Sequence, residues 1–460
     1  MDFHFPRIGF TFAIALAAGC AAYEPVPLDP AGELAALDRR TLDAFRVEHV
    51  RAGDGDAAPA TEFDPSDGLS ESEVVAVALT LNPDLRARRL DAGEAQALLI
   101  TAGLWPNPEI GASVRPGIGS APGTTADIDL LFALLRPGER SARKDVAAAR
   151  VEEVLAEIAS EEWDLTAKAR AQRVAVLAGE QGLALLEQEA SLRERGLALV
   201  RRKREVGEGT ELDVSTAELD VAEVRRDRRR AESDLESARR ELNRLLGLPP
   251  AHPLRLSDSG KPLAVTIVED LPDDALGARL LQGRLDLRAL EKGYARAEGE
   301  LHLAVLRQWP SLRLGPSYGR ESGGDGFLGL ALGLEIPLFD RNQGEIAGKR
   351  SAREKARAVY VAALHRLRAA AVEARARVRR ARLEVEEQER EVLPLVERNR
   401  SLFDGAVKAG ELGVLDWVTA LQRGLRARQA YLESLARYQT SVVEYEAAVG
   451  MPSRGVVPGR

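Results

Sequence analysis

The chain of 460 residues carries 72 acids against 64 bases, finely interleaved, so its formal charge of -8 offers no basic surface suited to nucleic acid. Hydrophobic residues make up 45% and charged residues 30%, with 5% aromatic, a profile of long helices that excludes disorder and collagen. The one cysteine, Cys20, excludes an internal disulfide.

Ile8 to Gly19 form a short apolar run after Arg7 and end in Ala17-Ala18-Gly19 immediately before Cys20. The pattern predicts a signal peptide over 1–19 and a lipoprotein whose mature chain begins at an acylated Cys20. An ordinary signal peptide with an incidental cysteine is the alternative, because Ala17 stands where leucine is usual and Asp2 weakens the basic start. Residues 20–69, rich in Pro, Asp, Ala and Gly, read as an extended, lipid-anchored tether. No later stretch reaches the ~18 to 20 apolar residues of a membrane helix, so any spanning falls to strands.

Ser70-Glu71-Ser72-Glu73 supplies capping chemistry ahead of Val74, Val75, Val77 and Leu79. A helical arm follows as far as Trp105-Pro106, with a break at Asn82-Pro83. Pro108 to Pro116 and Ala126 to Leu135 have strand length, are joined by a Gly/Ser/Thr loop and are closed by Pro137-Gly138. No proline occurs from Gly138 to Leu248, so this run is helix, reversed once where Gly207 and Gly209 fall in Glu205 to Thr210. The first of these helices, roughly 140–204, would be ~95 Å long, which predicts a rod or a tube. In the second, Leu212, Ser215, Leu219 and Ala222, then Leu235, Ala238, Leu242 and Leu245, are spaced as a helix-packing seam. Gly247-Leu248-Pro249-Pro250 ends it.

The same programme then repeats. Asp84-Leu85-Arg86 returns as Asp286-Leu287-Arg288, Trp105-Pro106 as Trp309-Pro310, and Asp213 followed by Gly247-Leu248-Pro249 as Asp416 followed by Gly450-Met451-Pro452. Strand-length segments Ser311 to Arg320 and Phe327 to Ile336 follow the second arm, and then a long helix over about 343–404 with a kink expected at Pro394, a glycine turn and a final helix. The predicted organisation is repeat 1 over 70–250, a linker over 251–273, repeat 2 over 274–452 and a tail over 453–460, each repeat reading helix, β-hairpin, helix, helix.

From Leu328 to Ile336 every even position is Leu or Ile, while Gly329, Ala331, Gly333 and Glu335 alternate with them. Leu312, Leu314, Pro316 and Tyr318, and Ile128, Leu130, Phe132 and Leu134, keep the same dyad pattern. Lipid on one face and a lumen on the other explain it, as does a soluble sandwich; four such strands behind a secretion signal favour the membrane. Four strands cannot close a barrel in lipid, so neighbouring chains must complete it.

Residues 70 to 452 resemble the outer-membrane efflux factors, the TolC family. Ile336-Pro337-Leu338-Phe339-Asp340-Arg341-Asn342-Gln343-Gly344-Glu345 looks like the strand-to-helix junction of that family's heavy-metal branch, and the glycine turns near 207 and 410 add to the likeness. The resemblance implies a mainly α fold with a membrane β-barrel: a homotrimer with a twelve-stranded barrel in outer-membrane lipid and a long α-helical periplasmic tunnel. It implies partners too, a periplasmic adaptor protein and an inner-membrane pump of RND type. It assigns adaptor docking to Val206, Gly207 and Gly209 in the first copy and to Val407 and Gly410 in the second; ending a helix is the plainer role for these glycines. It places pore-gate aspartates at Asp416 and Asp213, with Thr419 where a second aspartate can occur; simple helix capping is the plainer role there.

Five scattered histidines (His4, His49, His252, His302, His365) and a lone cysteine form no readable metal site, and neither P-loop, nucleophile elbow nor HExxH is present. The chain is therefore read as a passive, cofactor-free outer-membrane efflux duct and not an enzyme, with heavy-metal cations as cargo. Drugs or other small molecules are the alternative cargo, and a pore-free periplasmic coiled-coil scaffold or adaptor is the alternative class.

Overall fold

The structure, a computed structural model, describes residues 22–42, 67–116, 123–261, 263, 271–321, 324–408 and 414–450. The expected signal peptide over 1–19, Cys20, Gly410 and the tail over 453–460 lie outside the described residues; of Val407 and Asp416 only the helical backbone is described. The chain divides into a short unit ending at Arg40 and a second from Thr41 onward. In the first, α1 (Pro30–Asp38) replaces part of the expected extended tether. Pro30 presets φ at the first helical position, and the alanines and leucines after it are good helix formers.

The second unit begins with α2 (Glu71–Leu81), where Ser70 Oγ accepts from Glu73 N–H and Glu73 accepts in return from Ser70 N–H at 2.8 Å. Asn82 is extended, ends α2, and caps α3 (Pro83–Ala102) by accepting from Leu85 N–H at 3.0 Å. Strands β1 (Glu109–Pro116) and β2 (Thr124–Leu134) lead into α4 (Glu139–Glu205), whose 67 residues span roughly 100 Å. A turn leads to α5 (Glu211–Leu246). The order then recurs as α6 (Asp273–Gly283), α7 (Leu285–Leu306), β3 (Ser311–Glu321), β4 (Gly326–Glu335), α8 (Gln343–Glu387), α9 (Leu393–Lys408) and α10 (Val414–Val449). The four strands form one antiparallel sheet in the order β1-β2-β3-β4.

Helix α4 packs along α2, α3, α5, α7 and α10, so it is the spine of the core. Leu165, Ala169, Val176 and Leu177 from α4 meet Leu235 and Leu242 from α5 and Leu435, Tyr438 and Tyr445 from α10. The stretch between the halves joins this core, since Leu69 and Leu256 pair in a short parallel bridge and Leu263 is buried. An ionic chain ties the upper helices together: Arg296 donates to Glu153 at 2.7 Å and to Glu300 at 2.6 Å, and Lys349 donates to Glu300 at 2.8 Å. Burial pushes the Glu153 and Glu300 carboxyls up, but these cations outweigh it and hold both below the ordinary glutamate range.

Two details depart from the sequence reading. Near its start α5 buries Val214, Val221 and Val224, and leaves Leu212, 75% exposed, and Leu219 outside. The expected seam through Leu212, Ser215, Leu219 and Ala222 is thus displaced by two residues, because β-branched and leucine stripes of equal period run side by side there. The long helix of the second half is also interrupted before Pro394, by a π-helical turn at Gln388–Val392. Pro394 has no N–H for the carbonyl four residues back, and the wider turn absorbs that missing bond upstream of the ring.

Each half closes on a glycine seated against the break between its arm helices. Gly247 ends α5 at φ 69°, and a Cβ there would lie 2.3 Å from the Leu81 carbonyl oxygen, while Asn82 donates to the Leu245 carbonyl at 3.0 Å. Gly450 repeats this after α10 at φ 74°, against Gly283, and Arg284 donates to the Ala447 carbonyl at 2.6 Å. Gly247→Ala is expected to lower stability by about 1–3 kcal/mol, through both the positive φ and the clash. Gly277→Ala, in α6 with open space where the Cβ would stand, is expected to be neutral or stabilising. Guanidinium unfolding midpoints check this; equal midpoints for the two variants would contradict it.

Candidate functional site

The sheet has two chemically distinct faces, and its register shows why. Ile110 opposes Leu130, Ile128 opposes Tyr318, Phe132 opposes Leu314, and Leu314, Pro316 and Tyr318 oppose Leu332, Leu330 and Leu328, so even positions of all four strands share one face. That face is exposed over most of its length, with Leu330 at 79% and Leu130 and Leu312 half-buried. The odd face is polar: Arg115 pairs with Asp127, Arg313 with Glu109 at 3.1 Å, and Ser311 donates to Glu335 at 2.8 Å. Period-two alternation in the sequence made this legible; the cross-strand ion pairs were not, because their partners lie up to 204 positions apart.

At one end of the sheet the strands meet the long helices. Glu139, which opens α4, is buried and accepts from the Arg136 N–H at 3.2 Å and from Arg143 at 2.5 Å. Burial pushes its carboxyl up, and these donors more than offset that and keep it below the ordinary range. The Ile336 to Glu345 segment is a strand-to-helix junction, as its motif predicts. Asp340 accepts from Asn342 N–H at 2.8 Å; Asn342 sits at φ 61° and donates to the Ala304 carbonyl at 2.9 Å.

At the other end of α4 is the first turn. Val206 caps α4 and is exposed, Gly207 has φ 81° with open space about it, and Gly209 lies close to the Arg204 backbone. Asp213 closes a capping box: its carboxylate accepts from the Thr210 N–H at 2.9 Å and hydroxyl at 2.7 Å, and its own N–H donates to Thr210 Oγ. The Thr210 hydroxyl and then its amide hold the Asp213 carboxyl below its usual value. In the second half Val407 falls in the last turn of α9, Asp416 in the first turn of α10, and Thr419 is exposed.

Among the described residues no group of His, Cys, Asp or Glu could hold a metal ion, and no helix is long and apolar enough to cross a membrane. Residues 74–248 match the family model described as outer membrane efflux protein. Over this stretch the chain is similar to the outer membrane efflux protein family. The cobalt-zinc-cadmium resistance protein CzcC of Cupriavidus metallidurans is 24% identical over 382 residues, covering 82% of this chain and 88% of that protein. The toluene efflux pump outer membrane protein TtgF of Pseudomonas putida is 26% identical over 408 residues, covering 82% of each. The crystal structure of CusC shares the fold, with a TM-score of 0.67 at 18% identity over 83% of this chain and 92% of that one.

Proposed function

We propose that three copies of this efflux protein close a twelve-stranded barrel in the outer membrane, β4 of one chain pairing with β1 of the next. The observation that carries this reading is the sheet itself: one apolar face on all four strands, one polar face for a lumen, and, among the described residues, no intrachain partner for either edge. The helical hairpins continue the duct into the periplasm, and Cys20 adds an acyl anchor. Val206, Gly207 and Gly209 with Val407 and Gly410 dock a periplasmic adaptor, and an inner-membrane pump of RND type supplies the energy. Repeat 1 over 70–250 and repeat 2 over 274–452 each furnish one hairpin of the barrel and one of the tunnel.

Asp416 and Asp213 ring the periplasmic entrance. Capping does not remove Asp213 from this role, since a carboxylate held low by its Thr210 donors stays ionised at neutral pH. In a planar bilayer, the purified protein is expected to give discrete cation-selective steps whose selectivity falls in Asp416→Asn and Asp213→Asn. Anion-selective steps, or steps unaltered by both substitutions, would contradict the acidic entrance; a folded, inserted protein without steps would contradict the duct.

The cargo we infer is heavy-metal cations, supported by the resemblance to CzcC and by the Ile336 to Glu345 junction. Solvent or drug efflux is the second reading, favoured by TtgF. Loss of the protein from its host is expected to sensitise growth to cobalt, zinc and cadmium salts and to leave toluene tolerance unchanged. The opposite pattern would select the second reading.

A further inference from the structure

We propose that Arg320 and Tyr318, at the end of the sheet farthest from the long helices, form a binding site for the phosphate of a membrane glycolipid, the phosphorylated headgroup of lipid A. The inference rests on the membrane-barrel reading and adds to it a lipid ligand and the residues that hold it.

The apolar face of the sheet carries one charge. Its even positions run from Ile110 to Pro116 in β1, Thr124 to Leu134 in β2, Leu312 to Arg320 in β3 and Gly326 to Leu334 in β4, and the only charged residue among them is Arg320. Strand β3 leaves the helices at Ser311 and ends at Glu321, so Arg320 stands at the far end of that face. Its side chain is exposed and has no ion-pair or hydrogen-bond partner among the described residues. The other two strand arginines differ: Arg115 and Arg313 belong to the odd face, and each pairs with a carboxylate. Nor do the loop stretches 117–122 and 322–323, Gly-Ile-Gly-Ser-Ala-Pro and Ser-Gly, contain an acid that could neutralise Arg320.

Register builds a shallow notch around this cation. Arg320 lies between Ala126 of β2 and Gly326 of β4, both small. Tyr318 reaches over Gly326, where a Cβ would lie 2.8 Å from the Tyr318 Oη, so its hydroxyl arrives at the level of Arg320. That hydroxyl also lacks a partner among the described residues. Beneath the notch the face continues as Ile128, Leu328 and Leu330, all exposed.

A lipid phosphate fits this arrangement on three counts. The guanidinium offers a planar fork of N–H donors to two phosphate oxygens, and the Tyr318 O–H can donate to a third. The apolar side chains directly beneath give acyl chains a surface, which a free anion would not use. Height agrees as well: a strand tilted by ~45° carries Arg320 roughly 19 Å above Leu312, towards the margin of the ~25 Å apolar band of such barrels, where headgroups begin. An unneutralised outward cation favours an anionic headgroup over a zwitterionic one. In the leaflet remote from the periplasm that headgroup is the phosphorylated glucosamine of lipid A.

Native mass spectrometry of the full-length protein released from detergent micelles tests this, with diphosphoryl lipid A, dephosphorylated lipid A and inorganic phosphate as probes. Wild type is expected to bind lipid A about tenfold more tightly than Arg320→Gln and about threefold more tightly than Tyr318→Phe, with Arg320→Lys intermediate because one ammonium lacks the fork. Dephosphorylated lipid A is expected to bind wild type and Arg320→Gln alike. Arg366→Gln, which removes an exposed cation of α8, is expected to match wild type. Equal lipid A affinity in wild type and Arg320→Gln, equal loss in Arg366→Gln, or displacement of lipid A by millimolar inorganic phosphate would overturn the site. Planar-bilayer steps from the same preparation read the barrel separately: steps without Arg320-dependent binding refute the site and leave the barrel, whereas the absence of both means that the membrane-barrel reading fails and the site with it.

Discussion

The backbone edges of β1 and β4, unpaired among the described residues, are the constraint to which the rest of the molecule answers. Their outer face is leucine, isoleucine and valine, so water is the wrong neighbour for the side chains and lipid is the wrong neighbour for the edge N–H and C=O groups. Four strands cannot resolve that conflict alone, because the smallest membrane barrels need about eight. In the proposed trimer further copies of the chain resolve it, each supplying two hairpins. The duplication of the sequence is thus a duplication of the wall segment.

The helices hold the sheet to a long helical extension. Glu139, Glu153 and Glu300 are carboxylates drawn away from water, yet each stays below the ordinary glutamate range because arginine or lysine meets it. They fix α4, α7 and α8 just beneath the strands, where a loose joint would let the sheet tilt. Farther down the two hairpins differ. Helix α4 runs unbroken, while the second half inserts a π-helical turn between α8 and α9, against which Gln388 donates to Ser434 at 2.8 Å and Tyr431 donates to Glu389 at 2.7 Å. Those contacts leave Tyr431 harder to ionise, pushed up to about 12 by burial and by the Glu389 hydrogen bond.

Much of this was legible in the sequence because it is local. The Ser70–Glu73 box, the Asn82-Pro83 break, the Gly247 stop and the two-residue alternation of β3 and β4 are each written within a few positions. What escaped is of two kinds. Near the start of α5 a leucine stripe and a valine stripe have the same period, and periodicity cannot say which one faces α4. The Arg296–Glu153 pair joins residues 143 positions apart, so only the packed helices reveal it. Asp213 was legible as either a pore-lining or a capping residue; the structure places it in the capping box with its carboxylate still charged and exposed.

Disulfide crosslinking between the two edge strands tests the central claim most directly. Within one chain β1 and β4 are separated by β2 and β3, about 14 Å at ~4.8 Å per strand, beyond the ~7 Å reach of a disulfide. In a Cys20→Ser background, outward-facing cysteines at positions 110–114 of β1 are paired with cysteines at positions 328–332 of β4, and the protein is oxidised in outer-membrane vesicles. The account predicts that at least one register yields a covalent trimer on a denaturing gel, since three head-to-tail bonds close the ring. Monomers alone in every register, from protein that is folded and inserted, would contradict it.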